Sequence, residues 1–205
     1  MKVVAILLAA GESSRMGRPK PLLEWFGKTL VDAQIDALLD GGADEVFVVT
    51  GKSDARVAPL LSNRAHVHRV HNPDFAEGKT TSVKAGVTAL PLDTAVIVLL
   101  AVDQPRPAWV VRRVIESHLA SGASVTSPRF DGHGGHPLLF AGALREELLA
   151  ISESAEGIRE VVRRYSAEMN RVEFDSAIIR LDLNTPEAYE KALRDYPKIS
   201  EYPGG

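Results

Sequence analysis

The chain has 205 residues, no cysteine, 24 Lys+Arg against 27 Asp+Glu, and a hydrophobic fraction of 45%. That length can bury a substantial core without staples, and the missing cysteines exclude disulfide frameworks, thiol nucleophiles, iron–sulfur clusters and cysteine zinc sites. The net charge of -3 argues against a general nucleic-acid binder, but leaves room for a local anion site built from a few cations and backbone amides.

The chain alternates predicted strands and helices. Val3–Leu8 is a continuous aliphatic run, which predicts a strand buried on both faces. Residues 11–21 form a long loop with two glycines and two prolines. Apolar residues at 30, 31, 35, 38 and 39 predict a helix that ends at Gly41-Gly42. Strand 45–50 follows, then a short helix capped by Ser53 and running to Leu61, then strand 65–70, closed by Asn72-Pro73. Gly78 precedes a helix reaching about Leu90, and 95–102 is a second fully apolar strand that ends in Asp103-Gln104-Pro105. Helix 107–121, strand 124–127, helix 155–165, and late strands 171–174 and 178–181 lead to a last helix, 186–196, with Pro186 in its first position. Residues 134–137 read as an insertion over the sheet.

The expected fold is therefore α/β: a single-domain, Rossmann-like three-layer αβα arrangement with a mostly parallel central sheet. It would span residues 1–200, with 201–205 as a terminal tail frayed at Pro203-Gly204-Gly205. The longest apolar runs, 3–10 and 95–102, are eight residues each, against the roughly 20 a membrane-spanning helix needs. A short signal peptide at 1–10 is the weaker reading, because a charged turn follows it and the run is needed as a strand. A reducing, cytoplasmic setting and no membrane partner are the expectations.

Ligands of parallel sheets sit beyond the carboxyl ends of the strands, which selects the loop after Leu8, Asn72 onward and Asp103 onward. In the first loop, small residues Ala9, Ala10 and Gly11 permit close approach of a base or phosphate, successive amides can form a nest, and Arg15 and Lys20 supply cations. An ordinary loop with two exposed cations stays equally open on composition alone. Gly78-Lys79-Thr80 lacks the upstream glycine of a Walker loop, with Pro73 in its place, and no G-x-G-x-x-G follows the first strand. Asp103 ends a buried strand, where a carboxylate needs a partner. A hard cation would serve, and a helix cap for residues 107 onward is the alternative. His66 and His68 are two apart on a predicted strand, but the bland surface face outweighs a zinc pair. Trp25 and Trp109 read as core or interface residues.

Residues 8–20 resemble the L-A-A-G-x-S-x-R-M-G-x-x-K signature of the MobA-like nucleotidyltransferases, within which the molybdenum cofactor cytidylyltransferase branch is most similar. Lys20-Pro21-Leu22-Leu23 with Gly27-Lys28, the 78–86 segment, Asp103-Gln104-Pro105, Gly135-His136-Pro137 and the 182–187 segment resemble further family motifs in order. The resemblance implies Mg²⁺-dependent nucleotidyl transfer from an NTP to a phosphorylated acceptor, with pyrophosphate released. It assigns Leu8, Ala9, Ala10 and Gly11, with Gly78 and Ser82, to the nucleotide, and Arg15 and Lys20 to its phosphates. It assigns Asp103 and Asp182 to the metal and Gly135, His136 and Pro137 to the acceptor. Ala10 favours CTP, and molybdopterin is the expected acceptor, with a molybdoenzyme or its chaperone as protein partner. Thr29, Thr80, Thr81 and Asn184 depart from the family pattern, and Asn184 bears on the metal ligand set. A sugar- or polyol-phosphate acceptor, or a non-catalytic accessory role, are the rival functions.

Overall fold

The computed structural model describes residues 1–201; the tail expected to fray at 203–205 lies outside the described residues. In chain order the strands and helices are β1 (Lys2–Ala9), β2 (Glu24–Trp25), β3 (Lys28–Thr29), α1 (Leu30–Asp40), β4 (Glu45–Thr50), α2 (Asp54–Leu61), β5 (Val67–His71), α3 (Lys79–Ala89), β6 (Thr94–Ala101) and α4 (Ala108–Ser121). The second half adds β7 (Val125–Phe130), β8 (His133–Gly134), β9 (Leu138–Ala141), α5 (Arg145–Ala150), α6 (Ile158–Arg164), β10 (Asn170–Glu173) and α7 (Pro186–Ile199).

The main sheet runs β10-β7-β9-β6-β1-β4-β5, with β8 hairpinned onto β7 and β2–β3 forming a separate small hairpin. β1 is central and parallel to both β4 and β6, as its uninterrupted apolar sequence requires. Along β1 the pleat divides the core in two. Val3, Ala5, Leu7 and Ala9 pack on one side with α1, α4 and α7, while Val4, Ile6 and Leu8 pack on the other with α3, α5 and α6. This is the three-layer α/β fold expected. Gly86 lets α3 lie against the sheet: a Cβ there would meet Ile6 Cγ2 at 2.6 Å. Thr29 and Thr185 cap α1 and α7 by accepting from Asp32 N–H and Ala188 N–H at 3.3 and 3.2 Å.

Several local expectations are corrected. Residues 178–181 are not a strand. Ala177–Arg180 is a 3₁₀ turn whose Ile178 and Ile179 are buried in the core, and the Ile179 carbonyl accepts from His136 N–H and from the Arg106 guanidinium instead of a neighbouring strand. β9, unforeseen, runs against the main direction of the sheet, antiparallel to both β6 and β7, as does the short β8 beside β7. β9 follows residues 134–137 directly, so that segment is not an insertion over the sheet but joins β8 to β9, both of which pair with β7. Helix 155–165 shortens to α6 because Glu156 and Gly157 adopt positive φ. Ser53 precedes α2 without capping it through its side chain. His66 sits before β5 at φ 63°, while His68 pairs with Glu45 at 2.7 Å and stacks on Phe47. A shared metal for the two histidines has no geometric basis here.

Candidate active site

The carboxyl ends of β1 and β6 open into two adjoining cavities. The smaller, about 270 Å³, is lined by Leu8, Ala9, Ala10 and Gly11 from the end of β1, by Ser13 and Lys20 from its loop, by Gly78, Lys79 and Ser82 at the start of α3, and by Asp103. Residues scattered over nearly a hundred positions thus converge where parallel-sheet geometry places a ligand. The loop holds its shape through Ser13, whose φ is positive and whose Oγ accepts from Lys20 N–H at 3.0 Å. Met16 anchors the loop in the core. Behind α3, the buried Asn72 amide donates to Thr81 Oγ1 and Ser82 Oγ, both at 2.9 Å, and so fixes the wall that carries Ser82.

In the smaller cavity Lys20 Nζ donates to Asp103 Oδ2 at 2.6 Å and to Asn184 Oδ1 at 3.0 Å. The pair is largely shielded, with side-chain exposures of 14% and 22%, so solvent screens it less than a surface ion pair. Asp103 does not cap α4, whose N-cap is Pro107. Leu183 N–H donates to the Asp103 carbonyl at 2.8 Å, which brings the Asp182–Asn184 segment alongside the end of β6. Arg15 stands apart: it is exposed on the 3₁₀ turn Ser14–Met16 and is not part of the cavity wall. Arg18 instead lies 5.3 Å over the Tyr189 ring.

The larger cavity, about 830 Å³, shares Leu8, Lys79 and Ala101 with the first and extends over Gly134, Gly135, His136 and Asp182 to Glu153, Arg159 and Arg163. Pro137 is buried behind it. Glu153 Oε1 accepts from Thr80 N–H at 2.7 Å, so a carboxylate caps the positive end of α3 at the cavity's edge. The Nδ1 atom of His136 is buried with no hydrogen-bond partner. Burial, with the nearby Arg106 and Lys79 charges, pushes this imidazole's pKa down to about 3, so it is neutral at pH 7. An orphaned buried ring nitrogen is costly unless a ligand satisfies it.

Every residue that the sequence assigned to nucleotide or metal, except Arg15, therefore borders one of the two cavities. Three contributors were missed. Lys79 borders both cavities, although its Gly-Lys-Thr setting reads as a failed Walker motif. Asn184 supports Lys20. Arg106, fully buried behind both loops, donates to four carbonyls; its position right after Asp103-Gln104-Pro105 was the available signal. Among the described residues no cluster of three or more His, Cys, Asp or Glu is placed to hold a metal ion. A Mg²⁺ site does not need one, since one or two carboxylates plus substrate phosphate suffice. The hard oxygen donors of Asp103 and Asp182 fit such an ion.

A loop of small residues after the central strand, a shielded Lys–Asp pair and a second cavity beside it make an α/β site suited to a phosphorylated ligand. A family model for the MobA-like NTP transferase domain matches residues 5–169, and the chain belongs to that family. It is 31% identical over 194 residues to the molybdenum cofactor cytidylyltransferase of Escherichia coli (strain K12), covering 95% of this chain and 97% of the relative. It is also 31% identical over 199 residues to a nicotine blue oxidoreductase of Paenarthrobacter nicotinovorans, covering 93% and 96%. A solved nucleotidyl transferase from Methanothermobacter thermautotroptrophicus superimposes with a TM-score of 0.80 at 25% identity, covering 96% of this chain and 98% of that one. No helix among the described residues is long and apolar enough to cross a membrane.

Proposed function

We propose that the chain transfers a nucleotidyl group, CMP from CTP by preference, to the terminal phosphate of a molybdopterin-type acceptor and releases pyrophosphate. The observation that carries this reading is the Lys20–Asp103 pair in the smaller of two cavities that adjoin at Leu8, Lys79 and Ala101, the smaller lined by the small residues that admit a nucleotide and the larger able to hold a bulkier acceptor. The base and ribose lie against Leu8, Ala9 and Ala10, where small side chains admit a planar ring. Ser82 and the amides around Gly78 face the sugar and phosphates. Lys20 meets the α-phosphate side of the triphosphate, and Arg15, at the loop tip, reaches its outer phosphates.

The acceptor occupies the larger cavity, with Gly135 and His136 along one wall, Pro137 buried beside them, and the orphaned His136 Nδ1 available to a donor on the heterocycle. An acceptor phosphate oxygen attacks the α-phosphorus in line. The new P–O bond forms as the bond to the α,β-bridging oxygen breaks, and the electron pair leaves on pyrophosphate. A phosphate monoester is already largely ionised at pH 7, so no general base is needed. Lys20 offsets charge growing on the transferring group, and positioning supplies most of the remaining acceleration. Asp103 and Asp182 would hold Mg²⁺, which when bound supplies Lewis-acid neutralisation of phosphate oxygens.

At about 31% identity the scaffold serves proteins named for different activities, so the substrates must be tested directly. Pyrophosphate release is measured with CTP, GTP, ATP and UTP, each with molybdenum-bound molybdopterin and Mg²⁺, and again with sugar and polyol phosphates. Turnover with CTP and the pterin is expected; turnover confined to a sugar phosphate would replace the acceptor, and no pyrophosphate with any pair would remove the transferase reading. A covalent nucleotidyl-enzyme in the mass spectrum would overturn direct attack. Co-purification with a molybdoenzyme or its chaperone is the expected protein contact.

A further inference from the structure

Arg106 is the largest fully buried side chain of the described residues, at 1% exposure, and no direct substrate role is open to it. Its Nε–H donates to the His136 carbonyl at 2.9 Å. One terminal nitrogen donates to the carbonyls of Pro105 and Leu181, both at 2.9 Å, and the other to that of Ile179 at 2.7 Å. All four partners are neutral. A buried guanidinium without a contact carboxylate is expensive to keep, and an apolar residue of similar volume would fill the space more cheaply. Burial accordingly pushes its pKa down to about 10, with Asp182, Tyr196 and Asp103 acting the other way at longer range. The groups it touches give it a positional role. Pro105 follows Asp103, His136 is the centre of the acceptor wall, and Ile179 and Leu181 lead into Asp182.

The same loops are tied to each other around it. His136 N–H donates to the Ile179 carbonyl at 2.9 Å and Leu183 N–H to that of Asp103 at 2.8 Å. From the opposite side, Gln34 of α1 accepts from Arg106 N–H at 3.2 Å and donates to the Gln104 carbonyl at 2.6 Å. Gly135 completes the closure: a Cβ there would lie 2.2 Å from Ile179 Cδ1 and 2.3 Å from its carbonyl oxygen. We infer that Arg106 is a positioning residue that sets the register of the acceptor wall and of Asp182 against Asp103, so that the two cavities present their substrates to each other. Resting on the reading above for its kinetic consequence, this role predicts that Arg106, three of whose four carbonyl partners lie in the His136 and Ile179–Leu181 segments, governs acceptor use more than nucleotide affinity.

The test compares Arg106→Met and Arg106→Lys with wild type in three measurements: CTP affinity by equilibrium binding, acceptor kcat/KM by pyrophosphate release, and amide hydrogen exchange. In Arg106→Met the acceptor kcat/KM should fall about 10–100-fold, the range for removing an outer-shell orienting partner, with CTP Kd within about threefold. Exchange at the His136 and Leu183 amides should quicken at least about tenfold, while Val102 N–H, bonded to Leu8 on the nucleotide side, keeps its protection. Lysine retains the charge but not the planar fork, so Arg106→Lys should restore less than half of the logarithmic loss. Uniform loosening of all three amides, or equal losses for CTP and acceptor, would reduce Arg106 to a packing residue and overturn the inference. If Arg106→Met fails to fold, Gly135→Ala breaks the same closure from the acceptor side and should give the same split. If wild type releases no pyrophosphate, the transferase reading fails, and the exchange pattern alone still decides the role of Arg106.

Discussion

The two cavities that meet at Leu8, Lys79 and Ala101 are assembled in opposite ways. The smaller one is mostly one strand end and the loop that follows it, residues 8–20, closed by the first turn of α3 and by Asp103. The larger one draws on β6, the 134–138 segment, Asp182, the Glu153 turn and α6, and its orienting hub, Arg106, is out of contact with any ligand. A triphosphate presents the same charges whatever its acceptor, so a contiguous loop can recognise it. An acceptor of more varied chemistry is better met by several separate segments, each able to change while the sheet stays fixed. Nucleotide chemistry should therefore be sensitive to single residues, whereas acceptor chemistry should be sensitive to how loops are held.

The largest effect should come from Asp103, the carboxylate paired with Lys20 in the smaller cavity. Asp103→Asn keeps the shape of the side chain and an oxygen for Lys20 but removes the charge. It should lower kcat by about 10³-fold, the upper range for losing one element of electrostatic stabilisation, here exerted through the metal that the carboxylate would hold, with thermal unfolding little changed. Lys20→Met comes next, at about 10²-fold, together with weaker CTP binding. It also leaves Asp103 without its ammonium partner, so its Mg²⁺ dependence should shift as well. Should either variant lose acceptor affinity alone, the division between the cavities would be wrong.

What was readable from the sequence follows the same division. β1, β6 and the helices α1, α4 and α7 were legible because apolar runs and periodicity are local properties. The nucleotide loop was legible because its small residues and cations are consecutive. β9 was not, since four apolar residues between glycines and a short helix carry no sign of the direction in which they pair. Residues 178–181 misled for a related reason. Ile178 and Ile179 are as apolar as a strand's residues, but whether the backbone pairs with a neighbouring strand or serves Arg106 is settled by a side chain more than 70 positions away. Lys79 was discounted on motif grammar, yet its place at the head of α3 follows from Gly78 and the loop that precedes it.

On the acceptor side a smaller effect is expected in stability rather than rate. His136 is held neutral, with its pKa pushed down to about 3, whereas an unfolded chain would protonate it near pH 6.5. The unfolded state thus binds the extra proton first, and the stabilising contribution, complete above pH 6.5, is lost as pH falls toward 3. The slope is at most about 1.4 kcal/mol per pH unit. His118, also lowered by burial, adds a loss of the same sign. Urea unfolding at pH 7 and pH 5 should show His136→Asn losing less stability on acidification than wild type; an equal loss in both would place the acid sensitivity elsewhere.

The smallest effect tests the boundary of the nucleotide site itself. Arg15 belongs to the loop by sequence yet stands exposed on its 3₁₀ turn, outside the cavity wall, while Lys20 points inward from the same loop. A guanidinium that meets phosphate in open solvent contributes at most about 1 kcal/mol, equivalent to roughly fivefold in affinity. Arg15→Ala should therefore raise CTP Kd by no more than about fivefold, an effect that shrinks as salt is increased because the pair is screened. Lys20→Met, at a shielded position, should keep most of its effect in the same salt series. Equal salt sensitivity of the two would mean that the loop closes over bound nucleotide and brings Arg15 inside, and the nucleotide cavity would then depend on loop placement as much as the acceptor cavity does.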